Sequence, residues 1–184
     1  MGKSLVNSLR KFDKEILFRE VSEMIRFYQE VDILDNVDLD YRIKSEDSCI
    51  RKYNKFYPEM RLEKVFNDIL GFRMLTDSYD SLLKGEIPEE ARVVDMSHGK
   101  ANDDGYRGVH IYFQPSHFYY PIEIQANTYY DRQLNNWLHK YLYKREYSDS
   151  VGRMLRSEYE NGKILNEQQL EEVLSHVLSH SKRV

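Results

Sequence analysis

Cysteine is all but missing: Cys49 is the only one in 184 residues, so a disulfide framework is excluded and a reducing, cytoplasmic setting is expected. No apolar run approaches the ~20 residues that a membrane span needs, so no membrane partner is expected. The opening MGKSLVNSLRKFDKE contains no hydrophobic signal core. With 8 Gly and 4 Pro, the chain has neither the composition of a collagenous repeat nor that of a low-complexity linker. Two phosphate-binding signatures are also absent, the Walker loop and G-x-G-x-x-G. Any phosphate site here has to be built from side chains.

What is present is a globular composition, with 41% hydrophobic and 32% charged residues. The net charge of -4 hides a local bias. Between Arg42 and Lys64 stand seven bases (Arg42, Lys44, Arg51, Lys52, Lys55, Arg61, Lys64) against four acids. Such a window is either a solvated helix face or an anion site, most naturally for phosphates. The 15 Tyr are compatible with core packing or with stacking on bases.

Apolar spacing predicts a helix over 4–33, a short extended segment over 37–44, and a helix capped by Ser45 and stopped before Pro58. "NDILGFRMLTD" (67–77) predicts a strand, "SYDSLLKG" (78–85) a short helix and "EARVVDMS" (90–97) a strand. "HGKANDDGYRG" (98–108) is a polar loop. "RGVHIYFQ" and "FYYPIEIQAN" alternate as two strands of a hairpin joined at "PSH". Helices are expected over 130–144, 150–162 and 166–180. The order implies one α+β domain over 1–184: a small mixed β-sheet flanked by helices over about 15–145, a seam at 145–150, and a helical C-terminal tail over 146–184.

The candidate chemistry sits on the strands. Pairing the hairpin with both apolar faces on the core (Val109, Ile111, Phe113; Tyr120, Ile122, Ile124) puts His110, Tyr112, Glu123 and Gln125 on one polar surface. That surface is either the wet face of an ordinary antiparallel sheet or part of a site. Asp68, at the start of the preceding strand, supplies a second carboxylate. Two carboxylates on adjacent strands hold a divalent ion in the manner of Mg2+, which takes one or two carboxylates plus substrate phosphates. Arg42, Lys44, Lys52 and Arg73 are the cations for those phosphates. Strict alternation sets Asp68 and Arg73 on opposite faces unless Gly71 sits in a bulge. In "DDGYRGVH" (103–110), two glycines flank Tyr106 at an expected loop tip, as a surface residue or as a platform for a base. Trp137 reads as a core residue, and Cys49 as packing on its helix.

Taken in order, four stretches resemble the synthetase domain of the RelA/SpoT family. "RIKSEDSCIRK" (42–52) matches R-x-K-x-x-x-S-x-x-x-K, and "DILGFR" (68–73) matches D-x-x-G-x-R. "DGYRGVH" (104–110) is similar to N-G-Y-x-S-x-H, and "IEIQANT" (122–128) to V-E-x-Q-x-R-T. The resemblance implies a nucleotidyltransferase-like fold and a small alarmone synthetase. Its reaction moves the β,γ-pyrophosphate of ATP to the ribose 3′-hydroxyl of GDP or GTP, making a (p)ppGpp-type alarmone. By resemblance, Arg42, Lys44, Ser48, Lys52 and Arg73 hold ATP. Asp68 carries Mg2+, with Glu123 as second ligand or as the group that activates the hydroxyl. Tyr106, His110, Gln125, Asn127 and His139 face the acceptor.

Three positions depart from the family pattern. Asn127 replaces an arginine, Leu138 replaces a glutamate beside the retained His139, and Gly108 stands at the small position of the loop. A toxic subset of the family modifies the 3′-terminal adenosine of tRNA and is held by an antitoxin. The resemblance therefore carries two alternatives, a tRNA 3′ end as acceptor with an antitoxin as partner, or a homo-oligomer acting on free nucleotides; an inactive nucleotide-binding module is a third reading, against which the intact Asp68, Glu123 and Tyr106 stand. On the tRNA alternative, Lys3, Arg10, Lys11 and Lys14 either meet the phosphate backbone or form an ordinary solvated helix end.

Overall fold

The computed structural model describes residues 2–36, 39–143 and 147–181. Val37 and Asp38 of the expected extended segment, and residues 144–146 at the expected seam, lie outside them.

The first long helix begins later than its apolar spacing suggests. Helix α1 spans Lys14–Glu30 and starts where the Asp13 carboxylate accepts the Ile16 N–H at 3.0 Å. Residues before it form a short 3-10 turn at Leu9–Lys11. Their backbone is engaged elsewhere: Leu9 N–H donates to Met60 O at 3.0 Å, and Asn7 O accepts from Leu62 at 3.0 Å. A segment bonded to another chain segment cannot also close helical i→i-4 bonds. Strand β1 is Asp40–Ile43. Helix α2, Glu46–Phe56, has Ser45 as its N-cap and ends at Tyr57, before Pro58, as its sequence predicts.

After helix α3 (Leu62–Val65), strand β2 runs Leu70–Leu75. It is shorter than the expected 67–77 and leaves Asp68 in the turn before it. Helix α4 (Tyr79–Leu83) and strand β3 (Ala91–Met96) follow. Strands β4 (Gly108–Phe113) and β5 (Ile122–Asn127) are neighbours in the sheet, as the alternation predicts. The chain then forms helices α5 (Tyr129–Tyr141), α6 (Asp149–Glu160) and α7 (Glu167–Ser181). The five strands form one mixed sheet in the order β1-β2-β5-β4-β3, with β1 antiparallel to β2. No described helix is long and apolar enough to cross a membrane.

The chain divides into two compact units. The first comprises Met1–Met74, Gly85–Val94 and His110–Gln125. Leu17, Val21 and Ile25 lie at i, i+4, i+8 on α1 and are buried with Leu5, Leu9, Cys49, Tyr53, Leu62 and Phe66 in its core. The second unit comprises Leu75–Lys84, Asp95–Val109 and Ala126–Val184. Its core gathers Leu134, Leu138 and Leu142 with Leu155, Tyr159, Ile164, Leu170 and Leu174, and Trp137 packs against that cluster. Each fully buried leucine is worth about 1.5–3 kcal/mol, so α6 and α7 are integral to this unit.

Candidate active site

The site in the first unit is organised around two carboxylates. Asp68 is 8% exposed, just ahead of β2. Lys44 follows β1, and its backbone N–H donates to Ile69 O at 2.8 Å, extending the β1–β2 pairing by one bond. That bond delivers the Lys44 ammonium to Asp68 Oδ2 at 2.6 Å. Lys52, on α2, reaches Oδ1 at 3.1 Å and Asn67 Oδ1 at 3.0 Å. Arg42 completes the group at 3.6 Å from Oδ2. Burial pushes the Asp68 carboxyl up, but the charges and hydrogen bonds of Lys52 and Lys44 outweigh it and hold the pKa below the usual aspartate value.

Glu123 is the second carboxylate, 4% exposed near the start of β5. Its Oε1 lies 3.1 Å from His110 Nδ1 and accepts the Tyr112 hydroxyl at 3.0 Å, while Oε2 accepts Gln125 Nε2 at 2.7 Å. The polar surface expected from alternation is therefore real, but it is not a wet face. Its members bond to one another and are half-buried or buried. Burial raises the Glu123 pKa and the Asp68 charge raises it further, yet the His110 bond and charge, with Tyr112, keep it below the usual glutamate value. Tyr112 is pushed well up by burial and then by Glu123, so its hydroxyl stays a donor.

The register of β1 and β2 sets which groups stand beside Glu123. Gly71 faces Glu123, and a Cβ there would lie 3.6 Å from Oε2, in ordinary contact with the carboxylate. Arg42 pairs with Gly71 across β1–β2, and Asp40 pairs with Arg73, so Arg42, Gly71 and Arg73 share one face. Arg73 makes its ion pair with Asp40, at 3.7 Å. The β1–β2 register runs unbroken through Gly71, so there is no bulge; Asp68 precedes the strand, and Arg73 pairs with Asp40 instead of joining the cations on Asp68.

These residues suit a divalent cation. A carboxylate offers about four lone-pair positions, and Glu123 Oε2 uses one of its two. Asp68 and Glu123 feel each other's charge. Among the described residues no group of three or more His, Cys, Asp or Glu gathers to hold a metal. A cation here would take two protein carboxylates and complete its shell with water and phosphate oxygens, as Mg2+ does.

The remaining expected residues fall elsewhere. Ser48 Oγ accepts from Ser45 Oγ at 2.9 Å and from Arg51 at 3.0 Å in the first turns of α2. In the second unit Tyr106 is half-buried rather than at an open loop tip. Asn127 Nδ2 lies 3.5 Å from its hydroxyl, and the Lys100 ammonium sits 4.9 Å over its ring. Gly108 leaves room for both groups, since a Cβ there would come within 2.5 Å of Asn127 Nδ2 and 2.8 Å of the Tyr106 hydroxyl. Asn127 is 2% exposed and donates to Arg107 O at 2.8 Å, which commits it to bracing the loop. His139 lies exposed in the last turn of α5, and Leu138 is buried in the core.

Of the expected backbone-binding bases, Lys3 donates to Lys11 O, Arg10 pairs with Glu59, and Lys14 sits over the Tyr53 ring. Sequence reasoning assigned no role to Asn67, nor to Tyr112 as a direct partner of Glu123. The signal for Tyr112 was its place, two residues from His110 on the same face.

No protein-family model and no curated protein matches the chain. Solved structures do. Small alarmone synthetase 1 from Bacillus subtilis, bound to its product pppGpp, is 17% identical with a TM-score of 0.46, over 91% of this chain and 96% of that one. Small alarmone synthetase 2 from the same organism is 18% identical with a TM-score of 0.46, over 92% and 96%. A GTP pyrophosphokinase family protein from Streptococcus pneumoniae is 19% identical with a TM-score of 0.43, over 91% and 87%. At these identities the chemistry of the site rests on this chain's own side chains.

Proposed function

We propose that this protein is an Mg2+-dependent pyrophosphokinase that transfers the β,γ-pyrophosphate of ATP to the ribose 3′-hydroxyl of GDP or GTP. The observation that carries the reading is the Asp68 cluster. Three cations, Arg42, Lys44 and Lys52, converge on one carboxylate beside the buried Glu123. One carboxylate cannot neutralise three cations, and the surplus positive charge suits a polyphosphate. The family resemblance of the four motifs supplies the reaction.

In that reaction the 3′-oxygen forms a bond to the β-phosphorus, the bond from that phosphorus to the α-bridging oxygen breaks, and AMP leaves with the electron pair. Lys44, Lys52 and Arg42 hold the phosphate oxygens against the charge that spreads over them. Glu123 is ionised at neutral pH and has one uncommitted position on Oε2, where it accepts the 3′-hydroxyl proton or its hydrogen bond. Asp68 would hold Mg2+, with Glu123 as second ligand only where its free position does not take the hydroxyl, and the ion would supply neutralisation of phosphate charge.

A second reading takes the 3′-terminal adenosine of tRNA as acceptor, with an antitoxin as partner. It is favoured by position 127, where the family places an arginine and this chain buries an asparagine bonded to Arg107 O. Incubation with γ-labelled ATP and Mg2+, with GDP, GTP, ADP and deacylated tRNA side by side, decides between the two. A labelled guanosine product, lost on adding EDTA, is expected. Label on tRNA alone transfers the conclusion to the second reading, and label on no acceptor overturns both.

A further inference from the structure

We infer that Arg156 and Gly152, both on α6, are positioning residues that hold the Tyr106 loop in its acceptor-binding shape. The inference rests on the proposed role of Tyr106 as the acceptor platform. It places part of the specificity machinery in a helix beyond the four family-like motifs.

Arg156 is 1% exposed. Its guanidinium donates to three groups: Nε to Gly105 O at 2.8 Å, Nη1 to Asp131 Oδ1 at 2.6 Å, and Nη2 to Asn135 Oδ1 at 3.2 Å. Asn135 in turn clamps the loop backbone, accepting from Arg107 N–H at 3.3 Å and donating to Arg107 O at 2.7 Å. The residues on either side of Tyr106 are thus gripped through their backbone, one directly by α6 and the other through α5. Asp131 is itself fixed by the Tyr79 hydroxyl at 2.8 Å and Thr128 Oγ1 at 2.9 Å.

The helix and the loop also touch backbone to backbone. Gly105 has φ +86, a conformation that favours glycine, and a Cβ on it would collide with Gly152 O. A Cβ on Gly152 would collide with Asp104 O. A glycine inside a helix costs about 1 kcal/mol against alanine, and here it makes room for the loop. A buried ion pair is by itself weak evidence of stabilisation. A rigid fork that joins three separate segments sets geometry instead. Lysine at this position would keep the charge and lose the fork.

The test compares wild type with Arg156→Lys and Gly152→Ala, each first shown to be folded by its thermal transition. Steady-state transfer gives the KM for ATP and for the acceptor, and hydrogen exchange follows the amides of 103–108 against those of β4 and β5. A rise of about tenfold or more in acceptor KM, with ATP KM unchanged and faster exchange confined to the loop, is expected; misplacement by about 1 Å costs this much or more. A merely structural role would lower the active fraction and leave both KM values alone, and that result overturns the inference. So does unchanged exchange in the loop, or faster loop exchange with unaltered acceptor KM. If one variant fails to fold, the other decides. Wild-type protein that transfers to no acceptor would sink the proposed function instead, and loop exchange then judges the brace alone: acceleration upholds it and no change refutes it.

Discussion

At the residue scale, Asp68 and Glu123 are both buried carboxylates kept ionised by different means. Asp68 is surrounded by full positive charges, while Glu123 sits in a shell of mainly neutral donors. Asp68→Asn keeps the shape and removes the charge that the two lysines face. Pyrophosphate transfer should fall by about 10²-fold or more, read as kcat with both substrates saturating. Glu123→Gln preserves an acceptor for His110 and Tyr112 but sets its amide against Gln125 Nε2, and a loss of about 10²–10⁴-fold is expected. Cys49 offers a contrasting test. Its thiol is buried and pushed up to about 11, chiefly by desolvation. Iodoacetamide at pH 8 should therefore leave the folded protein unmodified and label it once denatured. The carboxylates were visible as acids interrupting apolar strands, but their donors were not, because a hydrogen-bond shell is assembled from distant parts of the chain.

At the scale of elements, α2 shows how local sequence places a functional side chain. Ser45 accepts the Ser48 N–H at 3.4 Å and opens the helix, Cys49 and Tyr53 bury one side, and Lys52 projects from the adjacent side to Asp68. Removing the cap in Ser45→Ala should lower stability by about 0.5–2 kcal/mol, measured from the denaturant midpoint, and should raise the KM for ATP by loosening the helix that carries Lys52. Helix α1 starts at Lys14, ten residues after its apolar spacing predicts. The apolar spacing of residues 4–13 resembles a helix, yet Leu5, Leu9 and Phe12 enter the core from a segment whose backbone bonds to residues near 60. Periodicity reports which side chains are buried, not which partner takes the backbone hydrogen bonds.

At the scale of the whole molecule, two cores imply two consequences. Asp68 and Glu123 both titrate below their ordinary values of 3.8 and 4.5 when folded. As pH falls the unfolded chain binds these protons first, so the stability they contribute is complete above the ordinary carboxylate range and is lost as pH drops through the lower folded values. Acid titration followed by circular dichroism should show the melting temperature flat near neutrality and falling below about pH 4. The second consequence concerns the C-terminal helices. Trp137 meets Tyr159 edge-to-face at 5.9 Å, and Leu155, Ile164, Leu170 and Leu174 share its core. A chain ending at residue 148 should show red-shifted Trp137 fluorescence, because the helices that cover that ring are gone. The sequence by itself determined the strand and helix types, the shared face of His110, Tyr112, Glu123 and Gln125, and the helix that presents Lys52, since these follow from periodicity and capping between near neighbours. Only the tertiary structure decided that Asp68 lies outside its strand with two lysines on it, that Asn127 is a brace, and that a distant arginine holds the Tyr106 loop. Those contacts join residues from about 16 to 51 positions apart, and no local pattern encodes which donor meets which acceptor across such a span.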